Sequence, residues 1–396
     1  MSTTVPLFDT KRQNAALAEA CRDIFDAVYQ SGQYIMGPQL EAFEAQVADY
    51  LDVPHALGVS SGTDALLLAL MALEIGPGDE VICPSFTFFA TAGSVARVGA
   101  TPVFADCCPV CYNLDTTDLE KRLTSRTKAI MPVHLFGQAA EMDALLAFAK
   151  THHLHVIEDA AQAIGSAYRG RKVGGIGDCG AFSFFPTKNL GGFGDSGLFV
   201  CHDDALAERA RILRVHGMHP RYLHHHIGAN FRMDPLQAGL LAVKLPHLEN
   251  YNRARAANAD FYHRHLSGIP GIMMADAFDC ACAQAPEGKD RPEALIVLPV
   301  AYPYNHVTWN QFTLRVRQGR RDALRTWLHE RGIGAEIYYP RGLHEQPCFA
   351  HLPKERLPNT ETISAECLSI PIFPELTETE RTTVAEAIIA FVQREY

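Results

Sequence analysis

The chain has 396 residues, 47% of them hydrophobic and 20% charged, and its formal net charge is −10 with the histidines neutral. These values indicate a globular protein with a large core, and the acidic balance argues against a nucleic-acid binder, which is usually basic. No signal-peptide pattern and no apolar run long enough to span a membrane is evident, so we expect a cytoplasmic protein with no membrane partner. The eleven scattered cysteines predict free thiols.

Short apolar segments alternate with amphipathic ones from about residue 38 to residue 213. The predicted strands are His55–Val59, Glu80–Cys83, Thr101–Phe104, Lys128–Val133, His155–Glu158, Gly180–Phe185 and Gly197–Cys201. The predicted helices are Thr63–Leu73, Thr87–Val98, Met142–Lys150 and Asp204–Leu213. Such alternation is typical of an α/β fold, with a mostly parallel sheet and helices on both faces.

The pattern changes near Pro235, after which mixed elements predict a smaller α+β domain. The predicted helices are Leu236–Leu248, Glu249–Leu266, Asp322–Arg331 and Thr379–Arg394, and the predicted strands are Gln311–Val316 and Ala335–Tyr339. We place the boundary near residue 250, which gives a large domain of residues 1–250 and a small domain of residues 251–396. The segment 275–299 is long for a loop, so it is either functional or disordered.

A turn of small residues joins the first predicted strand to the first helix, between Gly58 and Leu66. Gly62 permits a close backbone approach, Thr63 adds a hydroxyl, and the free N–H groups of a helix start attract anions. The segment is therefore a candidate phosphate site. An ordinary helix N-cap is the alternative.

Aromatic residues follow the second strand, between Ser85 and Thr91. A phenylalanine here is suited to lie against a pyridine ring, and we assign this position to Phe88 rather than Phe89. The alternative is an apolar helix face that packs in the core.

Asp159 directly follows the strand His155–Glu158, at the edge where open α/β sheets bind ligands. A buried carboxylate needs a cationic partner, and a protonated pyridine nitrogen is one. A helix N-cap or a structural ion pair is the alternative. Gln162 is three residues further on, and we expect it to face the same side and to bond a ring hydroxyl.

Lys188 lies in a loop that contains Phe-Phe-Pro-Thr-Lys-Asn-Leu-Gly-Gly, whereas most lysines are solvated surface groups. Desolvation there lowers the pKa of the amine and frees it for proton transfer. Ser183 is placed to donate to a phosphate. A pyridoxal phosphate enzyme needs such a lysine for the cofactor aldehyde and a carboxylate, here Asp159, for the ring nitrogen. The pair predicts pyridoxal 5′-phosphate as cofactor, with pyridoxamine phosphate as its amino form.

Several polar residues leave two interpretations open. Asn230 and Arg232 either contact an anion or belong to a loop and a helix N-cap. His134 ends a strand at the ligand edge, and it either touches a sugar or packs as a structural histidine. The histidines between residues 216 and 226 either surround the substrate or form a solvated loop.

The cysteines permit a zinc hypothesis, which we do not favour. Cys108 and Cys111 form one close pair, and Cys280 and Cys282 form another. No second Cys-x-x-Cys pair stands at zinc-ribbon spacing, so we expect no metal.

Together and in this order, the motifs resemble those of the sugar aminotransferases of the DegT/DnrJ/EryC1/StrS family. The similarity begins at Val5-Pro6-Leu7-Phe8-Asp9 and ends at the segment 367–374, Cys-Leu-Ser-Ile-Pro-Ile-Phe-Pro. It implies a fold-type-I PLP-dependent transferase that works as a homodimer, with active sites shared between the subunits.

The resemblance also implies residue roles. Lys188 would form the Schiff base, and Asn230 would reach the phosphate of the neighbouring subunit. The full set of implied cofactor contacts is Gly62, Thr63, Phe88, Asp159, Gln162, Ser183, Lys188 and Asn230. Tyr339 and His344 match the substrate-side loop, although Gly342 stands where proline is usual.

The implied reaction transfers an amino group from an amino acid, L-glutamate, to a nucleotide-diphosphate-linked keto sugar. One alternative is a PLP-dependent sugar dehydratase or lyase, and another is a non-catalytic regulatory member of the family. In the dehydratase branch histidine replaces the lysine, so Lys188 argues against it.

Overall fold

The computed structural model describes residues 4–275 and 294–395. The helices are α1 (Thr10–Ala15), α2 (Ala18–Ser31), α3 (Pro38–Leu51), α4 (Gly62–Ala72), α5 (Ala90–Arg97), α6 (Leu119–Arg122), α7 (Met142–His152), α8 (Asp204–Arg214), α9 (Pro235–Lys244), α10 (Leu248–Leu266), α11 (Arg321–His329), α12 (Pro358–Glu366) and α13 (Glu378–Glu395). The strands are β1 (His55–Val59), β2 (Glu80–Pro84), β3 (Thr101–Ala105), β4 (Thr127–Ile130), β5 (His155–Asp159), β6 (Ala167–Tyr168), β7 (Arg171–Lys172), β8 (Cys179–Ser183), β9 (Gly197–Cys201), β10 (Ile272–Met274), β11 (Ile296–Leu298), β12 (Asn305–His306), β13 (Phe312–Val316) and β14 (Cys367–Ile370).

A seven-stranded sheet forms the centre of the larger part, in the order β1-β9-β8-β5-β4-β2-β3. The pairs β2–β3, β2–β4, β4–β5 and β5–β8 are parallel, and only β9 runs against its neighbours β1 and β8. Strands β2 and β9 are buried along their whole length, as expected of a sheet covered on both faces. The predicted mostly parallel α/β sheet is confirmed.

The polarity of this sheet collects the chain's candidate residues at one edge. Strands β1, β2, β4, β5 and β8 run in the same direction, because β1 and β8 are both antiparallel to β9. The residues at or just after their carboxyl ends include Ser61, Ser85, Val133, Asp159 and Ser183. In open α/β sheets this edge is where ligands bind.

Helix α4 is the most deeply placed helix of the larger part. Every residue from Ala65 to Leu70 is buried, and a helix that is apolar all round has to lie inside the protein. Its N-cap is Ser61, whose hydroxyl accepts a hydrogen bond from the Asp64 N–H at 3.1 Å. The start of α4 is thereby fixed at the ligand edge of the sheet.

A second core lies in the C-terminal part, around a four-stranded sheet in the order β10-β11-β13-β14 with α11 and α13. This is the predicted smaller α+β unit. The N-terminus belongs to it, because the Val5 N–H donates to the Gly332 carbonyl at 2.9 Å and Val5 joins the same core. The proposed boundary at residue 250 falls inside α10 and stays a prediction.

Some elements differ from the sequence-based prediction. Helices α1 to α3 were not anticipated. The predicted strand Ala335–Tyr339 is wrong, since Glu336 forms only an isolated bridge, to Ser369. The predicted strand Lys128–Val133 ends at Ile130, shortly before Pro132, which has no N–H for a sheet ladder.

Two predictions involve residues that the structure does not describe. The predicted loop 275–299 includes residues 276–293, which are not described, whereas Ile296–Leu298 forms β11. Cys280 and Cys282 lie outside the described residues, and the thiols of Cys21, Cys83, Cys107, Cys179, Cys201, Cys348 and Cys367 are free. Over residues 4–275 and 294–395, no helix combines the length and the apolarity needed to cross a membrane.

Candidate active site

A cavity of about 650 Å³ lies at the carboxyl edge of the seven-stranded sheet. It is bounded by the larger part, by the C-terminal part and by Leu7 and Phe8 of the N-terminal segment. Most of the predicted site residues line it: Gly62, Thr63, Phe88, Asp159, Gln162, Ser183, Lys188 and Tyr339. Residues far apart in sequence are thus brought to a single cavity.

Asp159 ends β5 and is only 4% exposed. One carboxylate oxygen accepts from the Thr91 hydroxyl at 2.8 Å, and the other accepts from the Ala161 N–H at 3.2 Å. Burial raises the pKa of Asp159, although these two donors and the charge of Lys188 act in the opposite direction. A positive group in the cavity would relieve this desolvated carboxylate.

Lys188 lies in the turn that follows β8, and its N–H donates to the Phe185 carbonyl at 2.8 Å. Burial lowers the pKa of the amine to about 8, while the nearby Asp159 acts to raise it. At pH 7 roughly one amine in ten is therefore unprotonated, compared with fewer than roughly one in a thousand for a lysine of ordinary pKa. That is the condition a nucleophile and proton carrier needs.

The next residue, Asn189, holds the Lys188 turn in place. Its Nδ2 donates to Asn252 Oδ1 at 2.7 Å and to the Thr308 carbonyl at 2.8 Å. Its Oδ1 accepts from Asn310 Nδ2 at 2.8 Å. This buried network joins the lysine turn to α10 and to the segment before β13, so the side-chain position depends on both parts of the molecule.

The predicted anion site is a narrow cradle at the start of α4. A Cβ placed on Gly62 would lie 2.7 Å from Cβ of Ser183. A Cβ on Gly197 would lie 2.4 Å from the Ser61 carbonyl oxygen. Side chains at both glycines would therefore collide with the cradle wall, and the backbone can approach a ligand closely. Ser61 also caps α4, so the N-cap interpretation and the anion interpretation are compatible.

The structure distinguishes the two neighbouring phenylalanines. Phe88 lines the cavity and its ring centroid lies 6.3 Å from that of Tyr339. Phe89 stacks on Phe349 instead, with centroids 5.8 Å apart, and is not part of the cavity wall. Helix α5 begins at Ala90 rather than at Thr87, which leaves Phe88 on the preceding turn.

Gln162 and Tyr339 contact each other across the cavity wall. Nε2 of Gln162 donates to the Tyr339 hydroxyl at 3.0 Å, and its Oε1 accepts from the Phe136 N–H at 2.8 Å. The amide is thus held in one orientation, with its N–H groups toward the ligand side.

His134 is not in the cavity wall, and the idea that it touches a sugar is corrected. Its side chain is fully buried, Nε2 lies 2.9 Å from Glu158 Oε2, and Nδ1 accepts from the Ala140 N–H at 3.1 Å. Both ring nitrogens have partners inside the protein. The alternative interpretation, a packed structural histidine, describes it.

Three other predicted residues are not among those that line the cavity. The backbone of Asn230 bridges to Val215 and its side chain is exposed, while the backbone of Arg232 bridges to Val59 at the end of β1. His344 contacts the Ser85 hydroxyl through Nδ1 at 2.7 Å. The described histidines between residues 216 and 226 are outside the cavity wall as well.

Sequence reasoning missed three residues that the structure brings to the site. Thr91 bonds Asp159, Asn189 positions the lysine turn, and Arg255 is a buried cation in the cavity wall. The position of Asn189, directly after Lys188, was an available signal. Nothing in the pattern of α10 marked Arg255.

The cavity fits a phosphorylated pyridine aldehyde. A desolvated carboxylate, an amine whose pKa is lowered, a flat aromatic and a backbone cradle for an anion occupy one space. Among the described residues, no group of three or more histidine, cysteine or acidic side chains could hold a metal ion.

Comparison with known proteins agrees with this geometry. The family model described as the DegT/DnrJ/EryC1/StrS aminotransferase family matches residues 16–389. A "pleiotropic regulatory protein" of Geobacillus stearothermophilus is 43% identical over 98% of both chains. The UDP-N-acetyl-3-dehydro-α-D-glucosamine 3-aminotransferase of Acidithiobacillus ferrooxidans is also 43% identical over 98% of both chains.

The fold is also that of a solved structure. The structure of S. venezuelae DesV in complex with a ketimine intermediate superimposes with a TM-score of 0.90. It is 41% identical in sequence and covers 99% of this chain and 100% of DesV.

Proposed function

Because the chain belongs to the DegT/DnrJ/EryC1/StrS aminotransferase family, we propose that it uses pyridoxal 5′-phosphate to aminate a sugar. The amino donor is an amino acid, L-glutamate, and the acceptor is a keto sugar linked to a nucleotide diphosphate. The names of the relative from Acidithiobacillus ferrooxidans and of the family support this substrate class. That relative also makes a 3-keto sugar the first acceptor to test.

One observation carries the proposal. Lys188 and Asp159 line the same cavity as Gly62, Thr63 and Ser183. An amine of lowered pKa, a buried carboxylate and an anion cradle are the three features that a pyridoxal phosphate enzyme must bring together.

When bound, the cofactor supplies an electron sink for the chemistry at the donor's α-carbon. Lys188 Nζ would hold the cofactor aldehyde, and Asp159 would keep the ring nitrogen protonated. Phe88 would pack against the ring, and the amide of Gln162 would bond the ring hydroxyl. Gly62, Thr63 and Ser183 would hold the phosphate.

Lys188 also moves the proton. The Nζ amine would act as the base that takes the proton from the donor's α-carbon and as the acid that returns it. A pKa of about 8 leaves roughly a tenth of the amine unprotonated at pH 7, far more than for an ordinary lysine, which suits a general base. The second half of the reaction reverses these transfers on the keto sugar.

We propose that the protein is a homodimer with shared sites. Large apolar side chains are exposed, which is typical of a covered surface. Phe88 and Phe185 lie in the cavity wall, and the others are Phe193, Tyr222, Leu223 and Ile227. In this arrangement Asn230 binds the phosphate of the neighbouring subunit. The substrate is then faced by Tyr339 and His344 of one subunit and by Arg232 of the other.

Mixing two inactive variants tests the shared site. Subunits that carry Lys188→Ala are exchanged with subunits that carry Asn230→Ala. A shared site predicts partial recovery of turnover, because one of the two sites in each mixed dimer is intact. No recovery despite subunit exchange would contradict the role of Asn230.

The function itself is tested with purified protein, added cofactor, L-glutamate and a nucleotide-linked 3-keto sugar. We expect 2-oxoglutarate and amino sugar to form in equal amounts. A deoxygenated sugar without 2-oxoglutarate would favour the dehydratase. Protein that gains no cofactor absorbance would favour the regulatory alternative, which the name of the Geobacillus relative keeps open.

We also propose that the protein works in the cytoplasm. Seven of the described cysteines, Cys21, Cys83, Cys107, Cys179, Cys201, Cys348 and Cys367, have free thiols, and six of these are buried. This cysteine usage is typical of a reducing compartment.

A further inference from the structure

Arg255, a buried arginine on α10, has no role in the chemistry described so far. Its side chain is 1% exposed and it lines the cavity. Nη1 donates to the carbonyl oxygens of Trp309 at 3.3 Å and Asn310 at 3.2 Å. The guanidinium is thereby fixed in position on one side.

The rest of this guanidinium lacks a partner within the described part of the chain. Nε is buried and has no hydrogen bond, and no described carboxylate forms an ion pair with Arg255 within 4.0 Å. Glu375 acts on it only at longer range. A buried arginine with an unused donor is costly unless a ligand completes it.

The group is charged under working conditions. Burial lowers the pKa of Arg255 to about 10, so the guanidinium remains a cation at neutral pH. The guanidinium carbon of Arg255 lies 5.8 Å from the centroid of the Phe8 ring, which is the apolar neighbour of Arg255 in the cavity wall. Lys188 is the other cation among the described lining residues, and it is committed to the reaction.

A second unsatisfied atom lies in the same wall. Oε1 of Gln311 is buried without a hydrogen-bond partner, and Gln311 lines the cavity beside the Asn310 carbonyl that anchors Arg255. Unpaired polar atoms that cluster on one wall indicate a ligand with polar groups at that point.

We propose that Arg255 binds a carboxylate of the amino-acid donor. This inference rests on the proposed function and adds to it the residue that recognises the donor. The donor carries carboxylate groups, and a guanidinium with one side tethered presents its remaining N–H groups to such a planar anion. In a chain of net charge −10, an anionic donor needs such a local cation.

A diphosphate is the other anion in the reaction, and the surroundings favour the carboxylate. Phe8, Ile370, Ile372 and Phe373 are apolar lining residues from the same part of the molecule. A single cation among apolar side chains suits a small anion of one charge better than a nucleotide diphosphate.

The two half-reactions separate these possibilities. The Arg255→Gln and Arg255→Lys variants are loaded with cofactor. Single-turnover absorbance then measures the first half-reaction, with L-glutamate, and separately the second half-reaction, with the keto sugar. We expect Arg255→Gln to raise the glutamate concentration for half-maximal conversion by roughly 30-fold or more. The half-reaction of the preloaded amino form with the keto sugar should change less than about threefold, within the range of an uncharged contact.

Arg253→Gln is the matched control, because Arg253 is exposed on the same helix and, within the described residues, its side-chain hydrogen bond is to Asn250. It should leave both half-reactions unchanged. Equal losses in both half-reactions of Arg255→Gln, or no loss in either, would overturn the proposal. If no amino acid converts the cofactor-loaded wild-type protein, the proposed function itself is wrong, and the role of Arg255 is not in question.

A measurement on wild-type protein decides the matter if the Arg255 variants do not fold. Glutarate, which has the carboxylates but no amine, should inhibit competitively with L-glutamate. Its neutral diamide, glutaramide, should inhibit at least roughly 10-fold less, the difference expected for one charge-assisted hydrogen bond. Equal inhibition by both compounds would contradict a carboxylate site.

Discussion

Two adjacent carboxylates at the end of β5, Glu158 and Asp159, have different surroundings. Successive strand residues face opposite sides of a sheet, so Glu158 and Asp159 point away from each other. Glu158 is fully buried and accepts from three backbone N–H groups of the loop 174–177 at 2.6 to 2.7 Å. It also lies 2.9 Å from Nε2 of His134.

Asp159 has only the Thr91 hydroxyl and the Ala161 N–H as described partners. Glu158 has a full set of hydrogen-bond donors and holds the loop 174–177 in place. Asp159, on the cavity side, has fewer hydrogen-bond donors, and burial raises its pKa. Incomplete satisfaction of a buried charge, rather than burial itself, marks the position that awaits a ligand.

The largest effect is expected from removing the amine that shares the cavity with Asp159. Lys188→Ala should lower turnover by roughly 1,000-fold or more, because nucleophile and proton carrier are lost together. Both half-reactions are measured by single-turnover absorbance. The control variant Lys128→Ala, at an exposed lysine of β4, should have the turnover of wild type. Normal turnover by the Lys188 variant would refute its role.

The next effect contrasts the two carboxylates directly. Asp159→Asn should lower turnover by roughly 30-fold or more, the loss expected when one partner of a buried charge pair is removed. Without cofactor, the variant should be as stable as wild type or more stable above pH 4, since the folded state no longer carries a desolvated charge. Steady-state rates and thermal unfolding of the cofactor-free protein check both statements. A large loss of thermal stability would place Asp159 with the structural carboxylates.

Glu158→Gln should do the reverse. The neutral side chain satisfies the loop N–H groups poorly, and we expect the free energy of unfolding to fall by about 1–3 kcal/mol. Turnover per folded molecule should remain within a few-fold of wild type. Chemical denaturation and active-site titration separate the two quantities. An inactive but fully stable variant would reverse our assignment of the two faces.

The cavity side should also respond to pH through Lys188. Its pKa is lowered from 10.5 to about 8, so between these values the unfolded state binds more protons than the folded state. The cofactor-free protein therefore gains stability as pH rises from about 8 toward 10.5. The rate at which the protein binds the cofactor, measured by absorbance, should level off above pH 8. A rate that keeps rising to pH 10, as for a free lysine, would contradict the desolvated amine.

The smallest effect concerns the aromatic on the cavity side. Phe88→Leu should weaken cofactor binding by about 1 kcal/mol, or roughly fivefold, because stacking is lost while the apolar volume stays. Phe89→Leu is the matched control, since that ring stacks on Phe349 instead. Equal effects on cofactor affinity would mean that the two rings are not distinguished.

The sequence predicted the parts of the site that depend on local pattern. The strand ends locate Asp159 and Ser183, and small residues at the start of α4 locate the cradle around Gly62. Asp159, Ser183 and Gly62 line one cavity because a parallel sheet brings its carboxyl ends to one edge, and their roles there stay predictions.

What failed depends on packing between distant segments. His134 looked available because it ends a strand, and only the position of Glu158 and the Ala140 N–H shows that both its nitrogens are used. Arg255 could not be found, because its neighbours Phe8 and Asn310 lie far from it in sequence, one before it and one after it. Such contacts have no periodicity to detect.

The backbone tie between Val5 and Gly332 has a consequence for how the protein tolerates change at its start. Leu7 and Phe8 follow within three residues and form part of the cavity wall. Removal of residues 5–8 would therefore take away part of the cavity wall together with the tie to Gly332. This short segment is a structural part of the candidate site, although it precedes the first helix.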